Sequence, residues 1–234
     1  WLTNRGWKFT AALTLANEIR FLAAPTPTPA VTDAYQRGYL AGVICGDGAV
    51  GRYDYSGSYR RSVKRRPQKT DVVHQFRLAM NDGAALDRAA MFLQEHGVLT
   101  TRFEFQHAGG RMPAIRANSR ASYETICAIT RARDEGRDWD RGWLAGIFDA
   151  EGSSDTALRI YNTDSEILET VEQAYTRLGF RTIRDRESSN GCVAVRVRGG
   201  RGETVRFFNT TAPAIARKFP IEGTALRGSA RIVA

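Results

Sequence analysis

One eleven-residue stretch of this 234-residue chain occurs twice. Residues 38–48 read Gly-Tyr-Leu-Ala-Gly-Val-Ile-Cys-Gly-Asp-Gly, and residues 142–152 read Gly-Trp-Leu-Ala-Gly-Ile-Phe-Asp-Ala-Glu-Gly. Their acids, Asp47 and Glu151, stand 151 − 47 = 104 residues apart, far beyond a solenoid period and suited to a duplicated half-domain. Each copy reads as a helix that ends on an acid. Ala41 with Gly42, and Ala145 with Gly146, make a surface on which two backbones can approach closely. A helical Gly costs up to about 1 kcal/mol against Ala, so Gly at matched positions in both copies points to packing. Gly48 and Gly152 are natural helix stops. If the helices lie side by side and parallel, the two carboxylates meet at one end and oppose each other's ionisation. A hard divalent cation with oxygen ligands resolves that conflict. The plainer alternative is a small-residue helix contact with two exposed acids; matched copies argue against it.

Both stretches resemble the signature of the LAGLIDADG homing endonucleases in their single-chain, two-motif form. The likeness runs over about residues 33 to 223. It implies an α+β fold: a pseudo-twofold duplicated αββαββα unit with the motif helices packed at the centre and two antiparallel, saddle-shaped sheets forming a DNA-binding groove. It also implies that Asp47 and Glu151 hold the catalytic metal, with the main-chain carbonyls of Gly46 and Ala150. Cys45 departs from the motif, which often has Asp there, as Asp149 does in the second copy. Mg²⁺ is the expected metal, with Mn²⁺ or Ca²⁺ able to substitute in binding. From the resemblance, a polar residue near each scissile phosphate falls at Asn81 and at Asn162 or Thr163, and a Lys near the last helix falls at Lys218. The first half has no clean Lys there; Arg131 or Arg133 is a weak substitute. Lys218 could also be a cation favoured by a helix C-terminus.

Lys and Arg exceed Asp and Glu by 34 − 25 = 9, and the sequence pI is near 9.9. Such a balance favours a polyanionic partner, nucleic acid before membrane. No apolar run reaches the length of a membrane span and no signal peptide is visible. Cys45, Cys127 and Cys192 lack metal-ligand spacing and suit reduced thiols of an intracellular (cytoplasmic) protein. The expected partner is double-stranded DNA, with no membrane and no protein partner, the chain acting as a monomer.

Residues 1–24 resemble the part of an intein splicing domain that precedes its endonuclease, and residues 230–234, in a C-terminal remnant over 224–234, resemble the strand that resumes it. The splicing nucleophile and the C-terminal His-Asn pair are missing, so no splicing is expected. Pro25 to Pro29 alternate with Thr as an extended linker, the whole linker spanning 25–32. The first half then occupies 33–133, a connector 134–140, and the second half 141–223.

In the first half, Thr32 or Asp33 can cap the motif helix. Residues 51–71 read as a hairpin with a basic tip. Strands are expected over 72–80, 99–107 and 111–117, and helices over 83–96 and 119–133. Phe76, Leu78, Phe103 and Phe105 are placed inward. In the second half, Asp138 or Asp140 can cap the motif helix. A helix over 164–178, strands over 181–187 and 192–198, a turn at Gly199–Gly202 and a helix over 203–217 follow. One greasy and one arginine-rich face per sheet suits the major groove, where Arg reads guanine and Gln reads adenine. The candidate DNA contacts are Arg52, Arg60, Arg61, Lys64, Arg65, Arg66, Gln75, Arg77, Arg102, Gln106, Arg116, Arg159, Arg184, Arg186, Arg196 and Arg198, several touching only phosphates. The function expected is site-specific hydrolysis of both strands of a long asymmetric duplex. The alternative on the same fold is non-catalytic nucleic-acid binding, as in an RNA maturase or a transcription regulator.

Overall fold

Two parallel helices form the axis of the molecule. The computed structural model describes residues 2–17, 28–54, 72–107, 109–133 and 136–219. Helix α1 (Asp33–Asp47) and helix α4 (Arg137–Glu151) are the two motif copies. A Cβ on Gly38 or Gly42 would lie 2.2 or 2.4 Å from the carbonyl oxygen of Trp139 or Trp143. Reciprocally, a Cβ on Gly142 or Gly146 would lie 2.0 or 2.1 Å from that of Tyr35 or Tyr39. Shifted by the 104-residue repeat, the two sets of contacts exchange, which is the mark of a local twofold axis. Backbones this close exclude any side chain at four positions. The sequence places the contact on Ala41–Gly42 and Ala145–Gly146; the structure keeps the Gly of each pair and adds Gly38 and Gly142 one turn earlier.

Both helices are buried almost all round, since each is covered by its twin and by the sheets. Tyr39, Leu40, Val43, Trp143, Leu144, Ile147 and Phe148 have essentially no exposed surface. Around this axis each half repeats the same order. The first is α1, β3 (Gly48–Asp54), β4 (Val72–Ala79), α2 (Gly83–Glu95), β5 (Thr101–His107), β6 (Gly110–Ala117) and α3 (Arg120–Arg131). The second is α4, β7 (Gly152–Ser153), β8 (Arg159–Asn162), α5 (Ser165–Arg177), β9 (Thr182–Arg184), β10 (Val193–Val197) and α6 (Gly200–Thr211). The sheets are antiparallel with equivalent strand orders, β3-β4-β6-β5 and β7-β8-β10-β9. A short hairpin, β1 (Leu2–Thr3) with β2 (Gly6–Trp7), precedes them. The expected duplicated αββαββα architecture is the architecture found.

Local chemistry sets the boundaries. The Thr32 hydroxyl accepts from the Tyr35 N–H, and Asp82 and Asp164 cap α2 and α5 in the same way. Gly97 and Gly179, both at φ 78°, take the left-handed position that ends α2 and α5. The last helix differs from expectation. It begins at Gly200 and stops at Thr211, because Pro213 offers no N–H and Ala212 turns to φ 50°. Lys218 therefore sits on a separate 3-10 turn, Ala216–Lys218.

Asp138 and Asp140 do not cap α4; Gly136 is the N-cap. Asp140 is instead fully buried in the first turn, where Arg177 of α5 grips it bidentately at 2.6 and 2.8 Å. Removing one partner strands the other. Asp140→Ala is expected to lower unfolding free energy by about 3 kcal/mol, measured as the shift in the denaturant midpoint.

Register corrects one face. Alternation and hydrophobicity predict Phe103 and Phe105 inward, but they pair with Ala114 and Met112 and share the sheet face of Arg77 and Arg116. That face is open, whereas Phe76, Leu78 and Ile115 on the other are fully buried against the helices.

Candidate catalytic centre and nucleic-acid interface

Asp47 and Glu151 are the last residues of α1 and α4, and the parallel packing brings them to one end of the molecule. A Cβ on Gly46 would lie 2.5 Å from the Ala150 Cβ and 3.2 Å from the Glu151 Cγ, so the two helix ends touch. Burial raises the pKa of Asp47, partly offset by the charge of Lys218. Burial also raises that of Glu151, and the Asp47 charge raises it further. Asp47 is the more exposed of the two, whereas Glu151 is partly buried and also feels its twin.

Lys218 reaches them from the far end of the chain. Its ammonium donates to the Phe148 and Asp149 carbonyls at 2.9 and 2.8 Å, neutralising the C-terminal end of α4. Burial lowers its pKa, with Asp149, Asp47 and Glu151 acting in the opposite direction. A cavity of about 240 Å³ is lined by Asp47, Asn81, Asp82, Ala150, Arg217 and Lys218. Lys218, sequentially in the second half, therefore faces the Asn81 side of the first.

The segment 212–218 is held there by residues that sequence reasoning passed over. Asp149 is 1% exposed and accepts from the Tyr39 hydroxyl at 2.8 Å and from the Ala214 and Ile215 N–H groups at 2.7 and 3.0 Å. The Tyr35 hydroxyl and Arg88 both donate to the Ala212 carbonyl, and Arg217 pairs with Asp82 at 3.1 Å. The Ser154 hydroxyl donates to the Lys218 carbonyl. An acid inside an apolar helix was the available signal for Asp149. At the matching position Cys45 cannot accept three such bonds, and in the first half the chain runs from α3 into α4 through a short connector. Arg133, the weak substitute for a lysine, donates to the Thr130 and Ala132 carbonyls at the end of α3.

The capping acids show which of Asn162 and Thr163 is the structural counterpart of Asn81. Asp82 and Asp164 are equivalent N-caps, so Asn81 corresponds to Thr163. Asn162 instead accepts the Asp164 N–H at 2.8 Å and forms the turn.

Two carboxylates, helix-end carbonyls and an adjoining cavity fit a hard divalent ion that keeps several waters. Among the described residues no group of three or more His, Cys, Asp and Glu side chains gathers.

The interface candidates divide by face. Gln75, Arg77 and Arg116 lie on the open face of the first sheet, Arg159 and Arg196 on that of the second. Arg52 does not: it pairs with His74, whose ring packs 4.9 Å from Tyr123 of α3. Arg102 pairs with Asp87 of α2, and Gln106 shares its face. Arg184 is gripped by Glu172 of α5 at 2.8 and 2.9 Å. These four belong to the helix side. Arg186 and Arg198 are exposed just outside the ladders. Arg60, Arg61, Lys64, Arg65 and Arg66 lie outside the described residues, as does 224–234.

Residues 138–211 match the family model described as the LAGLIDADG-like domain. The crystal structure of I-DmoI in complex with DNA and Mn is similar at TM-score 0.60 and 17% identity, over 77% of this chain and 97% of that one. I-DmoI with DNA and Ca is similar at 0.59 and 16%, over 84% and 99%. Full-length DUF199/WhiA from Thermatoga maritima is similar at 0.55 and 13%, over 80% of this chain and 58% of that one. No curated protein sequence matches the chain. The fold is that of the LAGLIDADG endonucleases, and no helix of the described residues is long and apolar enough to cross a membrane.

Proposed function

We propose that the chain is a site-specific DNA endonuclease that hydrolyses a phosphodiester on each strand of a long, asymmetric duplex. The observation that carries this reading is the meeting of Asp47 and Glu151 at the touching ends of two small-residue helices, between two sheets with arginines on their open faces. A non-catalytic DNA-binding protein would have no use for two acids brought together at the helix ends, where the Asp47 charge adds to the cost of ionising Glu151.

A divalent ion bound there, with Mg²⁺ as the natural choice, supplies Lewis acidity and a nucleophilic water. Asp47 and Glu151 would hold it, with the Gly46 and Ala150 carbonyls as further ligands. Lys218 places a positive charge beside the acids, where an anionic pentavalent transition state gains most. Asn81 and Thr163, at equivalent positions before their caps, are placed to order solvent at the two scissile phosphates. The likeness of I-DmoI complexes with DNA supports duplex DNA as the partner of a single chain. We assign residues 1–24 and 224–234 to remnants of an intein splicing domain on their sequence resemblance alone.

The test is incubation of a plasmid carrying the uninterrupted host gene with the chain and Mg²⁺. Linear product that disappears on chelation is the expected result. Salt-sensitive duplex binding without scission in Mg²⁺ or Mn²⁺ would sink the enzymatic reading and leave the binding one.

A further inference from the structure

We propose that Arg77 and Arg116 are a guanine-reading pair that sets sequence preference in one half-site, which deepens the DNA reading above and rests on it. The two residues lie on β4 and β6, the inner strands of the first sheet, directly opposite each other and on its open face. Like charges directly opposite on neighbouring strands destabilise a sheet. The second half repeats the arrangement on the equivalent rung, where Arg159 of β8 faces Arg196 of β10. Leu78 and Ile160, each paired with the Gly that ends its motif helix, fix that equivalence. A repulsive rung present in both halves calls for an acceptor between its two arginines.

The halves then diverge. In the second, Asp185 sits between the arginines and accepts from the Nε of each, at 2.9 and 3.0 Å. In the first, neither guanidinium has a hydrogen bond or ion pair to any described residue. Each guanidinium lies over a Phe of edge strand β5 instead, Arg77 over Phe105 at 4.1 Å and Arg116 over Phe103 at 5.0 Å. Stacking on a ring holds the guanidinium plane and leaves its N–H edge free. A fork held in this way suits two acceptors at fixed spacing, as guanine O6 and N7 present in the major groove. A phosphate contact asks only for charge and is served equally by a flexible lysine. Cross-strand neighbours are about 5 Å apart at Cβ, which suits guanines within about two base steps of each other.

The experiment selects duplexes with a randomised site on the full chain in metal-free buffer and repeats the selection with Arg77→Ala, Arg116→Ala and Arg77→Lys. The parent is expected to recover guanine at fixed positions of one half-site. Each Ala variant should lose the preference at one position and bind the selected duplex about tenfold or more weakly, with unselected DNA little changed. Arg77→Lys keeps the charge without the fork and should lose the preference as well. The inference is overturned if the variants weaken all duplexes alike, with the salt slope falling by about one per residue and Lys restoring binding. A parent chain that retains no duplex overturns both this inference and the DNA reading, and so differs from loss of the base preference alone.

Discussion

Asp47→Asn and Glu151→Gln are each expected to reduce metal-dependent strand scission by about a thousandfold or more while leaving the fold intact. The amides are near-isosteric with the acids but bind a hard cation poorly. The sheets that face DNA are untouched. Affinity for duplex in metal-free buffer should therefore remain within a few-fold of the parent, or rise slightly as a negative charge leaves the site. Strand-resolved cleavage and equilibrium binding, measured on the same substrate, separate the two effects. Scission at the parental rate in both variants would remove the catalytic assignment, whatever the binding shows.

A stability measurement on the same variants has an opposite sign and guards against misfolding as an explanation. Burial raises the pKa of both acids above the ordinary carboxylate values, and Asp47 raises that of Glu151 further. Their folded forms therefore hold protons more tightly than their unfolded forms. This stabilising contribution is present below the unfolded pKa and is lost as pH rises through the raised folded one. At neutral pH the metal-free parent should gain stability when either acid becomes an amide. Added divalent metal should stabilise the parent by mass action and the variants less. A variant melting below the metal-free parent at neutral pH would contradict this account of the site.

The architecture was legible because its signals are local and repeated. Two matched motifs, with helical and alternating periodicities in the same order after each, delimit the elements with little help from tertiary context. The faces of β5 were not legible. Alternation separates Phe103 and Phe105 from Arg102, Glu104 and Gln106, but it does not say which set meets the helices. Hydrophobicity pointed the wrong way, because here the aromatic rings serve as platforms for Arg77 and Arg116 on the open side. The same ambiguity bears on Arg52 and Arg184: Arg52 lies on the helix side opposite His74, and Arg184 is held there by Glu172. The anchoring role of Asp149 also depended on distant groups. Its donors come from residues 110 positions before and 65 or 66 positions after it in the sequence.

Gly146→Ala is expected to destabilise the protein by about 3 kcal/mol or more, as severe overpacking does. In an ordinary helix interior the same change is favourable by up to about 1 kcal/mol. The sign reverses because the added methyl has nowhere to go. A Cβ at Gly146 would lie 2.1 Å from the Tyr39 carbonyl oxygen and 2.8 Å from the Val43 nitrogen, which are main-chain atoms and cannot rotate aside. Relief requires the motif helices to separate along their whole length, since Gly38, Gly42 and Gly142 make equivalent contacts. Separation would also pull apart the helix ends that carry Asp47 and Glu151, so scission should fall even below the melting transition. Gly83 supplies the control. It occupies the first turn of α2 with nothing within 4 Å of an added Cβ, and Gly83→Ala should stabilise by about 0.5–1 kcal/mol. Chemical denaturation of the two variants beside the parent decides the matter: equal and small shifts would mean that the helices do not pack through their glycines, and the convergence of the two acids would lose its structural cause.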